Sequence, residues 1–165
     1  MAFCLVFPFF ALAQDSCQLK KSTDPFTHET KLSTGFISFP SNGVSLSISI
    51  DASSSEIDFF LWFTGTQKCF DEQSTVQINF EGDRYKQNFK NTGSMNCEGA
   101  FHFVFKNTAT TPSQLQRLVD KKVNSFHITG PNKTITDVAF SAEQKQIFSR
   151  MVACIVRDSK TLLKK

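Results

Sequence analysis

Polar and apolar residues along most of this chain follow the two-residue repeat of β-strands. In the segment 44–50, Val44, Leu46, Ile48 and Ile50 alternate with serines, a pattern typical of a strand with one buried face. The same kind of pattern predicts further short strands at 36–39, 101–105, 123–129 and 133–140, and a hairpin at 74–90. Turn residues such as Glu81-Gly82-Asp83 separate the strands.

The segment 57–64 differs because both of its faces are apolar. Phe59 and Leu61 lie on one face, and Phe60 and Trp62 lie on the other. Such a pattern favours a central strand covered on both sides, by the helices or by a second sheet. Core packing is therefore the favoured role for Trp62.

Two segments carry helical signals. Thr111-Pro112 precedes Leu115 and Leu118, which predicts a short helix with proline near its first turn. Ser141 and Gln144 have the spacing of a capping box, and an apolar stripe follows them. The predicted fold is α+β: mainly antiparallel sheet of seven or eight short strands, with the C-terminal helix packed on it.

The first thirteen residues resemble a secretory signal peptide. Residues 3–10 are mostly apolar, and Ala11-Leu12-Ala13 has the small-x-small form of a cleavage site, so residues 14–165 would form one exported domain. No Lys or Arg precedes the apolar stretch, which a truncated start would explain. The alternative to a signal peptide is an apolar N-terminus of a cytosolic protein. We expect a secreted or periplasmic location, and no other segment has the length to span a membrane.

Four cysteines follow the leader, and they allow three pairings. We favour Cys69–Cys97, because Cys69 follows the central strand and Cys97 precedes the strand at 101–105. The other pair, Cys17–Cys154, would then pin a polar, aperiodic N-terminal arm to the last helix. No C-x-x-C spacing is present, so structural disulfides are preferred to a thiol metal site.

Composition and charge exclude several classes of function. The chain has 19 Phe but one Trp and one Tyr, which favours a packed core over a stacking surface. The net charge is only +3, and the Lys and Arg residues are interspersed with acidic ones. Nucleic acid is therefore not an expected partner. The sequence contains no motif for a zinc protease, a serine hydrolase or a phosphate-binding loop, and no cofactor is expected.

Four residues are candidates for a site. His102 and His127 could form a metal-binding or proton-shuttling pair if their strands are adjacent; the alternative is two separate surface histidines. Trp62 and Tyr85 combine an aromatic ring with a polar group, and they could stack on a glycan or peptide if exposed.

Several motifs occur in the order found in a group of exported proteins. Asp24-Pro25-Phe26-Thr27 follows Cys17, Cys69-Phe70-Asp71 precedes a strand, and Cys97-Glu98-Gly99-Ala100-Phe101 precedes another. In this order the chain resembles small exported β-rich proteins of unknown function from Bacteroidota. The resemblance implies a bacterial envelope or secreted location and paired cysteines, and it transfers no catalytic residue.

The sequence therefore favours a non-enzymatic binding module whose partner is a protein, peptide or glycan of the cell envelope. The alternative is a small hydrolase or inhibitor-like protein with a pocket between helix and sheet. A convergence of His102 and His127 with a carboxylate would favour the hydrolase.

Overall fold

The structure is a computed structural model that describes residues 17–65 and 68–164, so the leader at 1–13 lies outside the described residues. The described residues form an α+β fold, mostly antiparallel, with two α-helices and ten strands in two sheets. The strands are β1 (Lys20–Thr23), β2 (Thr30–Ser33), β3 (Ile37–Ser41), β4 (Val44–Ala52), β5 (Glu56–Thr64), β6 (Thr75–Phe80), β7 (Lys86–Lys90), β8 (Ala100–Lys106), β9 (Val123–Thr129) and β10 (Ile135–Ala139). The helices are α1 (Ser113–Asp120) and α2 (Ala142–Ser159).

The first sheet has the strand order β1-β2-β4-β5-β8, and β3 also pairs with β4. Alternation in β4 and β5 places Ile48, Ile50, Phe59 and Leu61 on a fully buried face. The β4–β5 register sets Ile50 opposite Phe59 and Ile48 opposite Leu61, so apolar residues share one side of the sheet. This confirms the strand predicted at 44–50.

The second sheet has the order β10-β9-β6-β7, and all of its pairs are antiparallel. Its β6 and β7 form the hairpin predicted at 74–90. Val76 and Ile78 of β6 face the core with Phe126 and Ile128 of β9, since all four are buried. The two-residue repeat thus identified both strands of the hairpin and β9 correctly.

Both helices form where the sequence predicts them. Helix α1 begins directly after Pro112, whose missing N–H costs no helical hydrogen bond at this position. The Ser141 hydroxyl accepts a hydrogen bond from the Gln144 backbone N–H at 3.2 Å, and the Ser141 N–H donates to the Gln144 side chain at 2.8 Å. The predicted capping box is confirmed.

Phenylalanine rings join the two sheets and α2 into one core. Phe89 of β7 stacks on Phe103 of β8, with 4.7 Å between ring centres. Phe148 of α2 contacts Phe59 of the first sheet and Phe126 of the second. The abundance of phenylalanine is therefore mainly a property of the core, as predicted.

Both favoured cysteine pairs are present as disulfides, Cys17–Cys154 and Cys69–Cys97. The first joins the segment before β1 to α2. The second joins the segment after β5 to the segment before β8, next to an isolated bridge between Phe70 and Asn96.

The predicted number of strands is wrong, because the polar N-terminal arm contains two more. Residues 20–23 pair with residues 30–33 as the antiparallel hairpin β1–β2. All four residues of β1 are exposed, so its sequence lacks the apolar alternation that marks the other strands. Backbone hydrogen bonds to β2 hold this strand in the sheet, and the polarity of its side chains does not reveal it.

No helix in the described part of the chain is long and apolar enough to cross a membrane.

Candidate functional site

The outer face of the first sheet, opposite the core, carries a cluster of three aromatic rings. Phe60 and Trp62 project from β5, and Phe36 lies just before β3. The Phe36 ring centre lies 5.8 Å from that of Phe60 and 6.0 Å from that of Trp62, with edge-to-face geometry. Phe36 is 55% exposed and Trp62 41% exposed. We call Phe36, Phe60 and Trp62 the aromatic face.

Small polar side chains of β4 border the aromatic face. In the β4–β5 register, Ser47 lies opposite Trp62 and Ser49 lies opposite Phe60. Ser49 is buried beside Phe60, whereas Ser47 is partly exposed and Trp62 opposite it stays open to solvent. A cluster of exposed rings with a polar border is typical of an interaction surface.

A glycine turn places Phe36 over β5. Gly35 has a φ of +67°, in the left-handed region that glycine adopts without strain. Its N–H donates to the Ser33 hydroxyl at 2.9 Å, and its carbonyl accepts from the Thr34 hydroxyl at 3.0 Å. The turn leads the chain from β2 towards β3, and Phe36 follows it directly.

The prediction that Trp62 packs in the core is wrong, and so is the prediction that β5 is covered on both faces. Strand β5 is central in the sheet, because β4 and β8 pair with its two edges. Its core face is nevertheless only the one that carries Phe59 and Leu61. Among the described residues, no sheet or helix packs over the other face, and Trp62 is in contact with solvent there.

A histidine–aspartate pair borders the aromatic face on the β8 side. Nδ1 of His102 lies 3.2 Å from Oδ2 of Asp58, and the His102 ring centre lies 5.8 Å from that of Phe60. The loop before β8 closes over the imidazole, where a Cβ on Gly93 would lie 2.8 Å from Nε2. Only glycine allows this approach without displacing the ring. The loop therefore holds His102 next to Phe60.

The His102 site does not have the geometry of a catalytic triad. In a triad, the carboxylate and the nucleophile contact different nitrogens of the imidazole. Here Asp58 and the Thr92 hydroxyl both lie 3.2 Å from the same nitrogen, Nδ1. The Thr92 hydroxyl also lies 3.0 Å from the His102 carbonyl, to which it donates. Proton transfer from Thr92 through the ring to Asp58 is not available in this arrangement.

The hypothesis of a His102–His127 pair is wrong because the two strands belong to different sheets. His102 is in β8 of the first sheet, and His127 is in β9 of the second. His127 instead pairs with Asp137 of β10, with 2.6 Å between Nδ1 and Oδ1. The two histidines thus have separate aspartate partners. Strand pairing, which decides this outcome, is not visible in the alternation pattern.

Tyr85 is half exposed directly before β7 of the second sheet, whereas the aromatic face belongs to the first sheet. The Arg117 guanidinium lies over its ring, 4.1 Å from the ring centre, and also contacts Asp83 at 3.3 Å. The ring therefore already has a cationic partner from this chain on one side. The structure does not bring Tyr85 together with Trp62.

Carboxylates lie at one end of the aromatic face, beside a cleft of about 320 Å³. Its lining includes Asp51 of β4, Glu56 and Asp58 of β5, and Lys31 of β2. Burial raises the pKa of the Asp58 carboxyl above its ordinary value; His102 opposes the rise, and the Glu56 and Asp51 carboxylates add to it. The folded chain therefore holds the Asp58 proton more tightly than the unfolded chain does.

This raised pKa predicts how Asp58→Asn changes stability with pH. The folded chain holds the Asp58 proton more tightly than the unfolded chain, so wild-type stability from this group is present below about pH 4 and declines as pH rises through the folded pKa. Urea unfolding across this range should therefore show Asp58→Asn gaining stability relative to wild type as pH rises.

Asp137→Asn is the matched control, because Asp137 also pairs with a histidine but its side chain is 70% exposed against 29% for Asp58. Solvent screens the exposed pair, so the control substitution should change the free energy of unfolding little. A relative gain of wild-type stability between pH 4 and 7 would contradict the prediction.

The described residues contain no group of three or more His, Cys, Asp or Glu side chains placed to hold a metal ion. Comparison with known proteins found no matching family model, no matching curated protein and no matching solved structure. The geometry of the chain itself is therefore the basis for a functional proposal.

Proposed function

We propose that this chain is an exported, non-enzymatic binding module that binds a polypeptide of the cell envelope through the aromatic face. The leader-like residues 1–13 and the two disulfides support an oxidising compartment outside the cytosol. The resemblance to exported β-rich proteins of Bacteroidota supports the same location. The binding role rests on one observation, the exposure of Phe36 and Trp62 beside each other.

Exposed rings of this size are a source of binding free energy. A buried aromatic side chain removes roughly 150–250 Å² of surface from water, and each Å² of apolar area contributes about 25 cal/mol. Phe36 and Trp62 together thus offer a partner several kcal/mol before the cost of association. The rigid sheet beneath them limits the entropy lost on binding.

The ring geometry favours a polypeptide over a glycan. A sugar stacks its flat C–H face on a ring, so an extended glycan needs several rings in one plane. The three rings here meet at 78°, 81° and 63° between planes, and they form a ridge with edges exposed. Apolar side chains of irregular shape can pack against such a ridge.

The test uses the chain's single tryptophan as its reporter, since Trp62 lies in the proposed site. An array of hexapeptides is screened with residues 14–165, and the strongest peptides are titrated while Trp62 emission is recorded. We expect binding to shift the emission to shorter wavelength, and Phe36→Ser to weaken affinity at least about 10-fold. Both effects follow from removal of the rings from water.

Phe26→Ser is the matched control, because Phe26 is 91% exposed but lies in the turn between β1 and β2. This variant should bind the peptides as tightly as the wild type. Equal loss in both variants would contradict the proposed site. If envelope oligosaccharides shift Trp62 emission and none of the peptides does, the partner is a glycan and the proposal of a polypeptide is wrong.

A further inference from the structure

Two carboxylates face the same side of the first sheet at the end of the aromatic face. Asp58 of β5 lies directly opposite Asp51 of β4 in the strand register, next to the position where Phe60 lies opposite Ser49. Side chains in such cross-strand pairs have Cβ atoms only about 4.5–5.5 Å apart. Like charges at this separation disfavour the sheet, so the arrangement opposes folding.

The chain neutralises this pair only in part. His102 contacts Asp58 at 3.2 Å, and the Ser49 hydroxyl donates to Asp51 at 3.0 Å. Lys31 lines the cleft, and Lys106 lies opposite Glu56 in the register. Within the described part of the chain, neither lysine comes within 4.0 Å of Asp51 or Asp58 to form an ion pair.

We propose that the aromatic face and the Asp51–Asp58 pair together bind an arginine side chain of the partner, flanked by apolar residues. This inference rests on the proposed function and specifies what the same face recognises. The guanidinium would lie against the Phe60 ring and donate hydrogen bonds to the carboxylates, while the flanking apolar residues pack on Trp62 and Phe36. The negative charge of the carboxylates and the exposed rings both favour an arginine side chain as the ligand.

Arginine suits this surface better than lysine does. Its guanidinium is planar, weakly hydrated and able to stack on an aromatic ring while donating two parallel hydrogen bonds to a carboxylate. A lysine ammonium is strongly hydrated and supplies only a point charge. A cation over a tryptophan or phenylalanine ring also gains from the negative ring face.

The proposed site spans β4 and β5, where Asp51 lies opposite Asp58, and His102 of β8 is the further titratable group beside it. His102 lies 3.2 Å from Asp58 through Nδ1, and Asp51 and Glu56 line the same cleft as Asp58. A guanidinium between Asp51 and Asp58 would relieve the repulsion that these carboxylates exert on each other. An uncharged side chain in the same place would not.

The test compares two peptides of the same size and shape, acetyl-Leu-Arg-Leu-amide and the same peptide with citrulline in place of arginine. Citrulline keeps the length and the planar end group but carries no charge. Each is titrated into residues 14–165, with Trp62 emission and calorimetry as readouts. We expect the arginine peptide to bind at least 10-fold more tightly at low salt, and the advantage to shrink in high salt.

Asp58→Asn should remove the preference for arginine, while Asp137→Asn should keep it. Urea unfolding at the pH of the titration checks that Asp58→Asn is folded, so that loss of the preference in this variant is not attributed to unfolding. A lysine version of the peptide should bind more weakly than the arginine version.

The outcomes separate this inference from the proposed function. If arginine and citrulline peptides bind equally, and Phe36→Ser weakens both, the arginine subsite is wrong and the aromatic face remains a binding site. If neither these peptides nor any peptide of the array changes Trp62 emission, both proposals are wrong. A preference for arginine that persists in Asp58→Asn also overturns the subsite.

Discussion

Removal of the Cys17–Cys154 disulfide should lower the free energy of unfolding by about 5 kcal/mol, the largest single effect we expect in this chain. The bond joins residues 137 positions apart, and a crosslink over so long a loop strongly restricts the unfolded chain. It also ties the N-terminal hairpin to α2. Strand β1 buries no side chain, so little apolar packing replaces the bond when it is removed.

The measurement is urea unfolding, followed by circular dichroism, of the Cys17→Ala/Cys154→Ala variant. The control is Cys69→Ala/Cys97→Ala, whose bond spans 28 positions and should contribute about 3.5 kcal/mol in the same chain-entropy treatment. A larger loss in the control would contradict the prediction. So would a loss below about 1 kcal/mol in the Cys17→Ala/Cys154→Ala variant, or free thiols in exported wild-type protein.

The strands that were predictable from sequence are those whose side chains differ between the two faces. Strand β4 is an example, since its apolar residues lie against the core and serines lie on the outer side. The hairpin β1–β2 was not predictable, because the residues of β1, Lys20-Lys21-Ser22-Thr23, are all polar and show no alternation. Its strands form through backbone hydrogen bonds and a disulfide, and neither leaves a periodic pattern in the sequence.

The aromatic face shows why a binding surface can be mistaken for core. The apolar residues of β5 alternate on both faces, and the same pattern arises whether the second face is covered or open. The signal that distinguishes the two cases lies in the neighbouring strand. Ser45 and Ser47 of β4 share the outer face with Trp62 and are partly exposed, and small polar residues at such positions indicate a face open to solvent.

The histidine–aspartate pairs could not be predicted from the sequence, because they form only through the pairing of strands. His102 and Asp58 are 44 positions apart, and they meet because β5 pairs with β8 in a particular register. A His102–His127 pair required adjacent strands, and β8 and β9 lie in different sheets, which leaves the alternative of two separate histidines. Both strands alternate clearly, but alternation reveals which side of a strand is buried and not which strand lies beside it.

Phe148→Ala should cost about 3–5 kcal/mol of unfolding free energy, because Phe148 is where α2 holds the two sheets together. Its ring is fully buried and contacts Phe59 of the first sheet and Phe126 of the second. Truncation leaves a cavity that borders both sheets and the helix. Neither sheet can fill it without losing its register, so the surroundings collapse little and the cost lies near the upper end.

Phe148→Leu is the control that separates lost contact from lost volume, since leucine keeps most of the apolar bulk and should cost about half as much or less. Urea unfolding of both variants gives the two values. A cost below about 1.5 kcal/mol for Phe148→Ala would contradict the prediction, because it would mean that the Phe148 ring does not hold both sheets against α2. In that case the aromatic face would lack the rigid support on which its proposed binding depends.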